Sequence, residues 1–194
     1  MSSTPNDHLA PEAHKLQIYK KLSVCAEFLG ALKPDLREEE IRASVAEPGE
    51  VVFRDARLIV KDLRLASHYS PRIAMTSLNQ HIMRRSVADL ADEYAVVELT
   101  MDELVGNVGR KLDALTRQHP VSRRRNQDLL LRVELRNCRL LSLGPQLQLT
   151  VFEAMGWRSI SMVVDRLAVI LYAGDRAPSW LRQHQGRRFA TPHA

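Results

Sequence analysis

Thr100-Met101-Asp102-Glu103 is a capping box, and it fixes the start of one element of this chain more firmly than any other stretch fixes anything. A hydroxyl at the N-cap and a carboxylate three residues on satisfy two of the backbone N–H groups that open a helix. Behind the box, Met101, Leu104, Val108, Leu112 and Leu115 recur at intervals of three and four, so the helix has one apolar face to bury. The same spacing recurs at Leu16, Tyr19, Leu22, Ala26 and Leu29, giving a helix over 12–32 that Pro34 ends. Asp35 caps a short acidic helix carrying Glu38, Glu39, Glu40 and Ile41. Val52, Ala56, Ile59, Leu63 and Ala66 predict a helix over 50–67. The alternation of Val51, Phe53, Leu58 and Val60, which reads as strand, is shorter. Ser70-Pro71 and Ser86 open two further helices. Ser159 opens another that runs to Tyr172, with Gly174 as its C-terminal stop.

The pattern is less one-sided in the C-terminal third. Leu129, Leu131, Val133 and Leu135 alternate with their neighbours and fit strand or helix equally. Leu147, Leu149 and Val151 alternate after Gly144-Pro145, where Pro145 also suits a first helical position. The expected fold is therefore mainly α: a helical bundle, with room for a small β-hairpin or sheet in that last third. The organisation that follows is a disordered tail over 1–11, an N-terminal helical domain over 12–118 and a basic linker over 119–127. A helical or α+β part over 128–182 and a basic tail over 183–194 complete it.

Aromatic residues are only 5% of the chain, so the core must be filled by aliphatic side chains. No apolar run approaches the 18 or so residues of a membrane span, and the polar Met1–Pro11 segment has no signal-peptide core, so a cytoplasmic protein is expected. Cys25 and Cys138 make no CxxC pair, and no two of the seven histidines stand three or four residues apart, so neither a metal site nor a cofactor is expected. No GxSxG occurs, and Gly106-Asn107-Val108-Gly109 lacks the GK[ST] ending of a phosphate loop. Nothing assembles into an acid–base site, and the expectation is a protein that is not an enzyme.

Charge offers more. Of 28 basic residues 22 are arginine, the net charge is +5, and Arg123-Arg124-Arg125 lies among Ser122, Asn126 and Gln127. Clustered guanidinium groups with small polar neighbours suit phosphate. The spacing of Ala91, Ala95, Met101 and Leu104 resembles the helix-turn-helix of repressor-type regulators over about 20 residues. That stretch lacks a glycine at the turn and carries Glu98, Asp102 and Glu103, which phosphate repels, so two packed core helices are the preferred reading. A second such spacing covers Val151 to Ile170, where Arg158, Arg166 and Ser161 offer more suitable polarity and Ser159 begins the second helix. These features predict a DNA-associated accessory or transcription-regulating protein that binds the phosphate backbone through Arg123, Arg124, Arg125 and Arg158, with Ser159 and Ser161 nearest the groove. The alternative is a protein–protein interaction adaptor or assembly subunit, homo-oligomeric or bound to a partner protein, using the amphipathic helices at 12–32 and 100–117.

Overall fold

A computed structural model of the protein describes residues 9–32, 40–44, 50–66, 97–136, 138–141 and 150–192. Helix α1 spans Leu9–Leu32. Strands Ile41–Ala43 (β1), Glu50–Phe53 (β2) and Ala56–Ala66 (β3) then run as an antiparallel meander. The helix expected over 50–67 is thus a hairpin. Its turn is Arg54-Asp55, with Arg54 at φ 52°, and the weaker alternation of Val51, Phe53, Leu58 and Val60 marks the buried face. Val97–Leu99 (β4) precedes helix α2 (Met101–Arg117), and Val121–Arg124 forms one turn of helix, α3. Asp128–Arg136 (β5), Cys138–Leu140 (β6), a helical turn at Thr150–Glu153 (α4), Ser159–Val164 (β7) and Leu167–Ala173 (β8) follow. Ser179–Arg182 (α5) and Arg188–Ala190 (β9) complete the described chain.

Seven strands make one mixed sheet in the order β1-β2-β3-β5-β7-β8-β9, while β4 and β6 pair separately. β5 lies parallel to both β3 and β7, and the other neighbours in the large sheet are antiparallel. Helices cover both faces. Val24, Cys25, Phe28 and Leu29 of α1 pack with Phe53, Leu58, Val60, Leu130 and Ile170 on one side. Met101, Leu104, Val108 and Leu112 of α2 pack with Leu63, Leu129, Leu131, Ile160 and Met162 on the other. A strand covered on both sides is apolar nearly throughout, so it loses the period-two signature that a half-exposed strand shows. The mainly helical expectation fails over 159–172 for this reason, and over 50–67 because a four-and-three spacing outweighs an alternation that is in fact the strand's own.

The helix expected from Ser159 to Tyr172 is a second hairpin. All six residues of β7 are buried, and Asp165 and Arg166 make the turn at φ 41° and 65°. Both central residues of a type I′ turn need that left-handed backbone. The Val151–Ile170 stretch is therefore one helical turn followed by two paired strands, and it holds no helix-turn-helix. In the earlier candidate, α2 follows a strand, Val97–Leu99, and residues 67–96 lie outside the described ones, as do the helices expected there.

The capping box forms as expected. Glu103 N donates to Thr100 Oγ1 at 3.3 Å, and Thr100 N donates to Glu103 Oε2 at 2.8 Å. These bonds to the Thr100 backbone and hydroxyl hold the Glu103 carboxyl below its ordinary range. Thr100→Ala is expected to cost about 1 kcal/mol, the usual worth of an N-cap, read as a lower midpoint in urea. Because the folded-state value is lowered, the box contributes fully above the unfolded carboxyl range, and its contribution fades as pH falls through the folded value. Among the described residues no helix is long and apolar enough to cross a membrane.

Candidate functional site

Three of the six residues expected to touch nucleic acid face inward. Ser159 and Ser161 are each 1% exposed within β7. Ser159 Oγ donates to Asp128 Oδ1 at 2.7 Å. The Arg158 side chain is 14% exposed and forms an ion pair with Asp128, which is fully buried at the start of β5. Arg158 Nε donates to Asp128 Oδ1 at 3.0 Å and its Nη2 to the Asp55 carbonyl at 3.0 Å, while Arg57 N donates to Asp128 Oδ2 at 2.9 Å. Trp180 Nε1 donates to Asp55 Oδ1 at 3.2 Å. This network ties together the beginnings of β3, β5 and β7. The Arg158 guanidinium has its charge matched by a buried carboxylate, and Ser159 and Ser161 are turned into the sheet, so none of the three offers an exposed donor to phosphate.

Arg123, Arg124 and Arg125 lie on and just after α3, and the turn is latched to the loop before β7. Arg124 Nη1 donates to the Met155 carbonyl, and Arg158 N donates to the Arg124 carbonyl at 2.9 Å. The latch leaves Arg123 and Arg125 exposed and Arg124 half-buried. Arg124 Nε is buried and has no hydrogen-bond partner among the described residues. Arg124 also lines a groove of about 1120 Å³ between α2 and α4, whose walls include Gly106, Gly109, Arg117 and Val151. A Cβ on Gly106 would meet nothing within 4 Å, so this wall is open, whereas Gly109 is approached by Val151 at 3.6 Å.

His119 stands just before α3, its ring 5.5 Å from that of Trp157. Trp157 is itself fixed, because its Nε1 donates to Thr116 Oγ1 at 3.1 Å. Partial burial, and then the charges of Lys61, Arg124 and Arg123, hold the His119 imidazole below its ordinary pKa. The site thus has cations around a histidine that stays neutral at neutral pH. Sequence spacing shows nothing of this, because Lys61 comes from β3, far earlier in the chain.

Glu50 is a second feature without a sequence signal, where it reads only as the start of a helix. It is 2% exposed at the beginning of β2, opposite Ile59. Arg57 Nε lies 3.4 Å from its Oε1, yet neither carboxylate oxygen accepts an aligned hydrogen bond among the described residues. Lys61 lies two residues beyond Ile59 and so shares Glu50's face of the sheet. Cys25 is packed beneath α1, and burial pushes its thiol up to about 12, which removes it as a nucleophile. Among the described residues no three His, Cys, Asp or Glu side chains gather as a metal site.

The model of a family described as "Putative endonuclease, protein of unknown function (DUF1780)" matches residues 15–192. A solved structure of a protein of unknown function from Pseudomonas aeruginosa strain PAO1, described as belonging to the Monooxygenase Superfamily, shares the fold. It is 23% identical, with a TM-score of 0.63 over 96% of this chain and 92% of that one. No curated protein matches. The family description overturns the expectation that the chain is not an enzyme, and the shared sheet-rich fold overturns the helix-turn-helix regulator.

Proposed function

The chain belongs to the family described as "Putative endonuclease, protein of unknown function (DUF1780)", and on that premise we propose that it hydrolyses nucleic-acid phosphodiesters, binding the backbone along α3. The observation that carries this reading is the placement of exposed Arg123 and Arg125 on a latched turn directly after a neutral His119. Arginine at a rigid turn gives phosphate oxygens a planar, charge-assisted partner. A neutral imidazole next to that phosphate accepts a proton from attacking water as the new P–O bond forms and the old one breaks, the leaving oxygen taking its proton from solvent.

Binding to single-stranded and duplex oligonucleotides across a salt series, with product analysis on gels, tests the reading. Affinity is expected to fall steeply with salt. Arg123→Ala and Arg125→Ala are each expected to lower the log–log salt slope by roughly one. Salt-insensitive binding, or no cleavage of any strand, would sink the proposal.

One observation favours the alternative of a protein partner. Leu16 and Tyr19 stand 57% and 69% exposed on the first half of α1, beyond the packed segment at Val24–Leu29. A sizing experiment that shows a monomer at all concentrations, with no partner retained, speaks against it.

A further inference from the structure

Arg125 stands at the mouth of a second opening, a pocket of about 300 Å³ between the loop before β7 and the turn after β8. Its rim carries Arg125 and Arg176, both exposed, and neither guanidinium has an ion-pair or hydrogen-bond partner among the described residues. Arg158 contributes to the lining, but Asp128 already neutralises its charge. Tyr172 also lines the pocket, and its hydroxyl has no hydrogen-bond partner among the described residues. Burial, Glu153 and Asp175 push its pKa up, so the phenol remains a donor throughout the neutral range. Gly174 leaves room for that hydroxyl, because a Cβ there would lie 2.7 Å from Tyr172 Oη. One acidic side chain, Asp175, lines the pocket against the two rim arginines.

We infer that this pocket receives the terminal phosphate monoester of a nucleic-acid strand, on Arg125, Arg176 and the Tyr172 hydroxyl. The inference rests on the reading of α3 as the backbone-binding element. Two free guanidinium groups and a protonated hydroxyl form a donor set for a tetrahedral oxyanion. An internal phosphodiester carries one charge and is flanked by sugars on both sides. A terminal monoester projects from its strand and carries a charge of about −1.5 to −2 at neutral pH. Arg125 belongs to both the pocket and the α3 cluster, so a strand whose end is seated here continues directly onto Arg124 and Arg123.

The test uses the full chain and short single-stranded oligonucleotides that carry a 5′-phosphate, a 3′-phosphate or hydroxyls at both ends, with inorganic phosphate as competitor. One phosphorylated end is expected to bind about tenfold more tightly than the hydroxyl-ended strand, the worth of one added charge-assisted bond. Arg176→Ala is expected to erase that difference, and Asp175→Asn to widen it, whereas Arg123→Ala weakens all three strands alike. Equal, salt-sensitive binding of all three strands overturns the pocket assignment while leaving the backbone reading intact. Capture of inorganic phosphate through Arg176 with no preference for phosphorylated strand ends overturns it as well, making this a site for small phosphate compounds. Failure of every oligonucleotide to bind overturns both readings.

Discussion

Asp128→Ala destabilises the protein by about 3–5 kcal/mol, the cost of stranding a buried charge. The carboxylate is fully buried and accepts from the Arg158 guanidinium, the Ser159 hydroxyl and the Arg57 backbone N–H. Removing it leaves the Arg158 cation without its counter-charge and the other two donors without an acceptor, at the point where three strands begin. For a chain of this size the loss corresponds to a fall in melting temperature of roughly 6–20 °C. Arg158→Met combined with Asp128→Leu removes both charges at once and is expected to recover much of the loss, because a paired burial replaced by apolar groups is often neutral. Urea and thermal unfolding of the two variants measure the difference. If the single variant unfolds within 1 kcal/mol of the native chain, by the same order-of-magnitude scale, the network is not what joins the strand ends.

His119→Ala lowers the rate of strand cleavage by about 10²-fold or more, the usual contribution of a positioned acid–base group, with oligonucleotide affinity little changed. The pH profile gives an independent check. The imidazole's pKa lies below its ordinary 6.5, through burial first and the cations Lys61, Arg124 and Arg123 after it. The native rate should therefore hold from neutral pH down past 6.5 and fall only once the imidazole takes up a proton. Lys61→Gln removes one of the opposing charges, raises that pKa, and moves the falling limb to higher pH. Stability follows the same sign. The unfolded chain protonates this histidine first as pH falls through 6.5, so the native state loses stability below that point. A rate for His119→Ala equal to the native rate, or a falling limb unmoved in Lys61→Gln, removes the histidine from the chemistry.

What the sequence makes legible is what a few neighbouring residues decide by themselves. α2 is read correctly because the capping box and its apolar stripe are local, and α1 is read nearly to its ends for the same reason. In β5 the alternation of Leu129, Leu131 and Val133 is visible, and these residues do share one face. The β7–β8 hairpin is misread because burial on both faces replaces alternation with a continuous apolar run, and the β2–β3 hairpin because its alternation competes with a longer four-and-three spacing from Val52 to Ala66. A run of that kind over Ser159–Val164 has the look of a helix buried on all sides. The turn between β7 and β8 adds to the error, since Asp165-Arg166 reaches the left-handed backbone without a glycine to announce it.

The site divides along the same line. The arginine cluster at α3 is visible because consecutive residues carry it. The inward orientation of Arg158, Ser159 and Ser161 is not visible, because it depends on the sheet, and on Asp128, which lies 30 residues before Arg158. The neutral state of His119 and the pairing of Arg125 with Arg176 around one pocket depend on strands that meet only in the folded chain.

The parallel pairing of β3 with β5 also sets how the chain must assemble. Asp128 meets its partner Arg57 across 71 residues of sequence, and β7 joins only beyond that. Closing so long a loop precedes any reward from the contacts it makes, and this places such a topology among slow folders, in the range of milliseconds to seconds. During synthesis the β1–β3 meander emerges from the ribosome with one long edge unpaired, and it stays so until its neighbour has been translated. That interval is when the nascent chain is most open to pairing with the wrong strand, its own or another's.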